Sequence, residues 1–187
     1  MAKVYQFMAD GFEDIEALAP VDILRRGGVE VVTVSINSDA SVHSAHGVTM
    51  IADAVFEDCN FDDADLLLLP GGMPGASNLR AHQGVCQAII EQHAKGKRIG
   101  AICAAPYILG ELGLLQGKRA TCYPGFESHL KGATYIADLV TIDGNITTAE
   151  GPGAAMPYGY QLLSYFTSPA TVEAPKEGMR YNHLMKK

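Results

Sequence analysis

The sequence predicts an α/β domain built on a mostly parallel sheet. Short apolar runs of strand length alternate along the chain with segments of helical periodicity. Glycine and proline residues cluster where the predicted elements meet. A length of 187 residues fits one such unit. We therefore expect residues 1–187 to form a single domain, with a polar and peripheral tail from about residue 168.

The first third of the chain predicts a β–α–β unit followed by a hairpin. The apolar and helical patterns give a strand at 4–8, a helix at 15–26, a strand at 30–35 and a small hairpin at 43–53. The acidic stretch 57–65 is typical of a surface connection. The four leucines that follow, Leu66 to Leu69, predict the most buried strand.

Residues 70–80 read PGGMPGASNLR and predict an irregular loop. Three glycines and two prolines disfavour regular structure and leave backbone amides free to point into a cavity. Beyond the loop, the patterns predict helices at 85–95, 104–112 and 154–165 and strands at 99–103, 120–123, 135–142 and 145–148.

Charge and cysteine usage exclude several classes of protein. With 21 acidic and 14 basic side chains, the net charge of -7 would repel nucleic acid. No apolar run approaches the ~20 residues of a membrane helix, and the N-terminus lacks secretory features, so we expect a cytoplasmic protein without membrane association. The four cysteines form no CxxC pair, which argues against a structural metal and a disulfide framework. We expect no metal and no cofactor.

Cys103 stands where an apolar strand passes directly into a helical pattern. The sequence GAICAAP places small residues, Ala101 and Ala105, two positions either side of it, as a nucleophile elbow requires. Amides at the start of the following helix would lower the thiol pKa below ~8.5 and, with an amide from the Gly71–Gly72 loop, form an oxyanion hole. The alternative is a buried apolar cysteine without chemistry.

Three carboxylates, Glu13, Asp14 and Glu16, lie between the first strand and the first helix. Loops at the carboxyl ends of parallel strands converge on one crevice, so one of these acids could reach Cys103. It should then be protonated, because an ionised carboxylate would raise the thiol pKa. The alternative is that all three only stabilise the helix N-terminus.

The order and spacing of five segments resemble the ThiJ/PfpI superfamily, and within it the branch of the parkinsonism-associated protein deglycase. These segments are GFEDIEALAPVDILRRGG, LLLLPGGMPGASNL, AICAAP, YPGFE and the GPG helix start. The resemblance implies a flavodoxin-like (Rossmannoid) three-layer sandwich of the class I glutamine amidotransferase-like kind, which forms homodimers.

The resemblance also implies roles for individual residues. Cys103 would be the reactive cysteine and Glu16 the protonated carboxyl that hydrogen-bonds it. The amides of Gly72 and Ala104 would surround the oxyanion position. The remaining residues would support the site, with Gly71 in the loop and Arg26 near a dimer-adjacent pocket: Glu13, Asp14, Gly71 and Arg26.

The sequence departs from the family where a histidine base would stand, because Tyr123 precedes Pro124 there. A tyrosine is a weak base at neutral pH, so Tyr123 could only donate or relay a hydrogen bond. The residue after Cys103 is Ala104, whereas the protease-like branch has a histidine, which weighs against peptidase activity. The six histidines of the chain are expected to lie mainly at the surface, and His129 is the one that could swing toward the crevice.

Two functions from different classes follow. The first is a lyase- or hydrolase-type enzyme, a glutathione-independent glyoxalase or protein deglycase, in which Cys103 attacks small reactive aldehydes or glycated substrates and protects against stress. The second is a sensor or chaperone without turnover, whose Cys103 is oxidised to sulfinate. A link with thiazole monophosphate biosynthesis is a remote third possibility that the residues neither support nor exclude.

Overall fold

A computed structural model describes residues 2–186 and shows strands and helices alternating along most of the chain. The strands are β1 (Lys3–Met8), β2 (Glu30–Ser35), β3 (Ser41–His43), β4 (Thr49–Ile51), β5 (Ala54–Val55), β6 (Leu66–Leu69), β7 (Arg98–Ile102), β8 (Arg119–Ala120), β9 (Thr134–Tyr135), β10 (Val140–Asp143) and β11 (Ile146–Ala149). The helices are α1 (Asp14–Arg26), α2 (Gly75–Ala81), α3 (Gln83–Ala94), α4 (Pro106–Glu111), α5 (Ala155–Leu163), α6 (Pro169–Gly178) and α7 (Tyr181–Met185).

The central sheet has seven strands in the order β10-β11-β7-β6-β1-β2-β5. Its pairs are parallel except for the hairpin that joins β10 to β11 at one edge. The carboxyl ends of β1, β6 and β7 therefore lie side by side at one edge of the sheet. The segments that follow these three strands carry most of the predicted site residues, whereas Tyr123 follows β8 and Arg26 lies at the far end of α1.

Both faces of the sheet are covered by helices, which explains the unbroken leucine run of β6. Successive side chains of a strand point to opposite faces. Accordingly, Leu66 and Leu68 pack in the apolar cluster that also holds side chains of α1 and α5, and Leu67 and Leu69 pack in the cluster that holds side chains of α3 and α4. The predicted three-layer α/β sandwich is thus confirmed. None of the described helices has the length and hydropathy needed to cross a membrane.

The structure corrects two predicted elements. The irregular loop expected at 70–80 ends early, because residues 75–81 form helix α2 after Pro74 has turned the chain. The single strand expected at 135–142 is two strands: β9 pairs with β8 in a separate ribbon, whereas β10 pairs with β11 in the main sheet. The polar tail that starts near residue 168 contains α6 and α7, and Val172 of α6 packs into the same apolar cluster as α5.

Candidate active site

Cys103 occupies a sharp turn directly after β7. Its φ angle is 63°, a left-handed conformation that non-glycine residues adopt at a cost of about 1–3 kcal/mol. Two backbone hydrogen bonds hold it there: its N–H donates to the carbonyl of Ala149 at 2.9 Å, and its carbonyl accepts the N–H of Tyr123 at 2.8 Å. The residue is 8% exposed. The strand-to-helix turn expected from the sequence is present.

Glu16 lies in the first turn of α1 and is 1% exposed. Its Oε2 accepts the N–H of Gly71 at 3.0 Å, and its Oε1 is buried without a hydrogen-bond donor from the described residues. Burial raises the pKa of Glu16 to about 7, and the charge of Glu13 adds to the increase, whereas contacts with the Cys103 thiol and the Gly71 amide lower it. The Glu16 carboxyl therefore exchanges a proton near neutral pH.

Gly71 explains how the carboxyl and the cysteine come so close. A Cβ atom at this position would lie 2.6 Å from Oε2 of Glu16 and 2.7 Å from Cβ of Cys103. Real Cβ contacts are never so short, so any other residue would push the two groups apart. The loop itself is tied to the start of α1 by a 3.1 Å hydrogen bond from the Glu13 N–H to the Gly71 carbonyl.

The expectation of a lowered thiol pKa at Cys103 is wrong. Burial raises the pKa of the thiol to about 12, and the negative charge and hydrogen bonding of Glu16 raise it further. The amides of Gly72 and Ala104, which point at the sulfur, oppose this increase without cancelling it. The physical reason is that desolvation of a buried thiolate outweighs two backbone dipoles, and α4 begins only at Pro106, so its first turn lies beyond Ala104.

Glu13 and Asp14 surround the site in different ways. Oε2 of Glu13 accepts the N–H of Glu16 at 2.7 Å and so caps α1, as the alternative interpretation of the acids expected. Oδ2 of Asp14 lies 2.8 Å from Nδ1 of His46, a residue of the hairpin that sequence analysis did not single out. One donor atom from each of Glu13, Asp14 and His46 lies within 4.8 Å of the others, so these are the described residues that could share a cation.

The other predicted residues lie at different distances from Cys103. Tyr123 is 47% exposed and meets Cys103 through its backbone N–H, whereas its ring lines a cavity beside the turn. Arg26 does not join the site within this chain: it lies at the far end of α1 and forms a 2.8 Å ion pair with Asp22. His129 lies 3.7 Å from Glu111 and does not reach Cys103. The structure therefore brings the Cys103 thiol and the Glu16 carboxyl together beside the amides of Gly72 and Ala104.

Residues 2–165 match the DJ-1/PfpI family. Protein DJ-1 homolog B of Arabidopsis thaliana is 39% identical over 163 residues, which cover 86% of this chain. A deglycase of Pyrococcus abyssi is 33% identical over 153 residues, 81% of this chain and 91% of that protein. A glutathione-independent glyoxalase of Caenorhabditis elegans is 30% identical over 176 residues, 93% and 88% of the two chains. The matched region spans only 37% and 41% of the length of two Arabidopsis relatives.

Solved structures agree with the fold. A mutant of a DJ-1 superfamily protein from Salmonella typhimurium superimposes with a TM-score of 0.92 at 31% identity, covering 96% of this chain and 98% of that one. Toxoplasma gondii DJ-1 in an oxidized form gives a TM-score of 0.91 at 31% identity, with the same coverage of 96% and 98%. These matches confirm the flavodoxin-like class that the sequence predicts.

Proposed function

Because the chain belongs to the DJ-1/PfpI family, we propose that it is a cysteine-dependent enzyme acting on reactive carbonyls, of the glutathione-independent glyoxalase or protein deglycase type. Relatives that carry those two names match more than four-fifths of the chain, which supports this class of reaction. The single observation that carries the proposal is the buried pair formed by the Cys103 thiol and the Glu16 carboxyl.

Glu16 acts in this proposal as the base that activates the thiol. With a thiol pKa of about 12 and a carboxyl pKa of about 7, the resting pair at neutral pH is a thiol beside a partly ionised carboxylate. As Sγ bonds to the aldehyde carbon of the substrate, its proton passes to Glu16.

The amides of Gly72 and Ala104 supply the second half of the mechanism. They point at the sulfur, so the oxygen that becomes negative when sulfur adds to a carbonyl would form within their reach. Fixed backbone donors stabilise such charge without reorganising. Glu16 then moves the proton that converts the hemithioacetal into a thioester of a 2-hydroxy acid, and water releases the acid and regenerates the thiol. We assign Tyr123 a positioning role, through its backbone bond to Cys103.

Lactate formation from methylglyoxal tests the proposal. We expect the wild-type protein to form lactate, Cys103→Ser to form none above background, and Glu16→Gln to lose activity ~10²-fold or more, in the range of general-base catalysis. Cys59→Ser is the matched control, because this free thiol lines a different cavity with Phe56 and Phe61, and it should leave the rate unchanged. Equal rates of lactate formation by the wild type and Cys103→Ser would reject the proposed cysteine-dependent activity.

The second candidate is a stoichiometric oxidation sensor or chaperone. The two amides that point at Sγ are the observation that favours it, because they would also bind the oxygens of a sulfinate. A related structure is described as oxidized, which is stated of that protein alone. After mild peroxide, mass spectrometry should find two added oxygens on Cys103 and little change on Cys59, Cys86 and Cys122. Similar oxidation of all four cysteines would reject the proposed sensor function.

The assembly and compartment are part of the proposal as well. A homodimer is supported by exposed apolar side chains on α1 (Ile15, Leu18) and on the β3–β4 hairpin (Val48, Ile51). Sedimentation should give a dimer that Ile51→Glu weakens, and a concentration-independent monomer would refute it. We propose that the protein is located in the cytoplasm and that it forms one domain. The proposed function includes neither thiazole monophosphate biosynthesis nor peptidase activity.

A further inference from the structure

A cavity of about 240 Å³ lies beside the Cys103 turn, and we refer to it as the Tyr123 pocket. Its walls include the side chains of Tyr123, Pro124, Leu139, Glu150, Pro152 and Ala154. Its volume is several times the ~30 Å³ that one water molecule occupies in the liquid, which leaves room for a six-membered carbon ring.

The backbone of Cys103 is attached to two walls of the pocket. Its carbonyl accepts the N–H of Tyr123, and its own N–H donates to Ala149, the residue that immediately precedes Glu150. Glu150 is linked in turn to Leu139 by a 3.0 Å hydrogen bond from its N–H to the Leu139 carbonyl. The walls are therefore tied to the backbone of Cys103 rather than placed on an independent loop.

The lining is apolar with one negative charge. Tyr123 is 47% exposed and Leu139 is 56% exposed, so the pocket offers apolar surface that a ligand could cover. Over the range 2–186, the charged side chain that lines the pocket is Glu150, and the lining includes neither lysine nor arginine. Such walls attract apolar groups and repel anions.

We propose that the Tyr123 pocket selects the arm of the carbonyl substrate: it receives the uncharged, apolar arm of an aryl or alkyl 2-oxoaldehyde and rejects an anionic arm. The inference rests on the carbonyl chemistry proposed above and adds the substrate class to it. The probe is phenylglyoxal, whose phenyl ring matches the pocket. The comparison compound is 4-carboxyphenylglyoxal, which differs from phenylglyoxal by one carboxylate. Methylglyoxal, whose arm is a single methyl group, is the reference substrate.

The reaction of phenylglyoxal balances without an external oxidant. Sγ bonds to the aldehyde carbon while the thiol proton passes to Glu16. Glu16 then returns this proton to the new alkoxide oxygen, which gives a neutral hemithioacetal and restores the carboxylate. Proton transfer then oxidises the former aldehyde carbon to a thioester and reduces the neighbouring ketone to an alcohol. Water cleaves the carbon–sulfur bond, and mandelate leaves as the thiol is restored.

Formation of the three hydroxy acids, measured by chromatography, tests the inference. For the wild type we expect kcat/KM for phenylglyoxal to exceed that for methylglyoxal roughly 10-fold, since a buried ring adds apolar contact. The carboxylated ring should be roughly 10-fold worse than phenylglyoxal. Leu139→Asn should reduce the ratio of kcat/KM for phenylglyoxal to kcat/KM for methylglyoxal. Glu150→Gln should raise the ratio of kcat/KM for 4-carboxyphenylglyoxal to kcat/KM for phenylglyoxal. Leu184→Ala and Glu91→Gln, at exposed positions on α7 and α3, are the matched controls and should change neither ratio.

The outcomes separate the inference from the function it rests on. Lactate formation that depends on Cys103, with a phenylglyoxal preference that neither Leu139→Asn nor Glu150→Gln alters, would overturn the role of the pocket alone. Failure of all three aldehydes to yield a hydroxy acid would overturn the carbonyl enzyme and the pocket together. Equal handling of the two rings by the wild type would also exclude charge selection by Glu150.

Discussion

The N–H of Gly71 donates a 3.0 Å hydrogen bond to Oε2 of Glu16, across 55 positions of sequence. This bond fixes the carboxyl at the end of the sheet where Cys103 turns. It also distinguishes the two carboxyl oxygens, because Oε1 is left buried and without a donor from the described residues. A proton on Oε1 removes an uncompensated buried charge, which is the physical reason that the pKa of Glu16 rises.

The first prediction concerns the reactivity of the Cys103 thiol. Glu16→Gln removes the charge that raises the thiol pKa, so alkylation of Cys103 by iodoacetamide at pH 8 should accelerate by roughly 10-fold, the factor that one pKa unit gives. Peptide mapping separates this site from Cys122, whose pKa is raised by burial and by Glu127 and Glu150 but not by Glu16, so its alkylation should not respond. Slower alkylation in the variant would contradict this prediction and show that Glu16 promotes formation of the thiolate more than its charge opposes it.

The second prediction is the pH dependence of turnover. If ionised Glu16 takes the proton of the thiol, kcat/KM for methylglyoxal should rise with pH up to about 7 and then level off. Below pH 7 it should fall roughly 10-fold for each pH unit, because the carboxylate fraction falls in that proportion. Glu16→Gln should give a low rate without the plateau above pH 7, because the thiolate fraction of a thiol whose pKa lies above this range keeps rising with pH. A wild-type rate that falls as pH rises through 7 would contradict the assigned protonation state.

The third prediction concerns stability. The folded state raises the pKa of Glu16 from 4.5 to about 7, so the folded protein binds this proton more tightly than the unfolded chain does. The contribution of Glu16 to stability must therefore fall as pH rises from about 4.5 to 7, by about 3 kcal/mol. Glu16→Gln lacks this loss, so the free energy of unfolding of the variant relative to wild type should increase by about that amount between pH 4.5 and 7.5.

Urea unfolding at the two pH values measures this difference. Glu91→Gln, at an exposed position on α3, is the matched control and should show a difference from wild type that hardly changes with pH. A pH-independent difference for Glu16→Gln would mean that the Glu16 carboxyl is not protonated in the folded protein near neutral pH.

Much of the fold follows from local sequence, because the strands are buried on both faces. The run Leu66–Leu69 forms a strand with the predicted bounds, as does Glu30–Ser35, since an apolar run of that length between turn residues has few other stable arrangements. The glycines and prolines at the start of segment 70–80 predict a loop, yet residues 75–81 form a helix because the residues after Pro74 are compatible with one.

The site is less predictable, since its properties depend on distances between distant residues. Glu13 and Glu16 have the same chemistry in sequence, yet one caps α1 and the other lies beside Cys103. Only the approach of the Gly71 loop separates them. The direction of the pKa shift of the Cys103 thiol depends on whether burial or the backbone amides have the larger effect. His46 contacts Asp14 from a hairpin, and no local sequence pattern predicts where that hairpin packs.

The last prediction concerns Gly71→Ala. The added methyl group would meet Oε2 of Glu16, Cβ of Cys103 and the carbonyl of Ile102, each at less than 3.0 Å. Two of these atoms belong to Ile102, the last residue of β7, and to Cys103 directly after it, so the Glu16 carboxyl and the loop must move away. We expect a loss of stability of about 1–3 kcal/mol, typical of overpacking, and a loss of carbonyl activity ~10²-fold or more, because the proton acceptor leaves the thiol. Gly178→Ala, at a helical position with open space around it, is the control and should preserve both. A fully active Gly71→Ala protein would mean that close contact between Glu16 and Cys103 is not needed for the reaction.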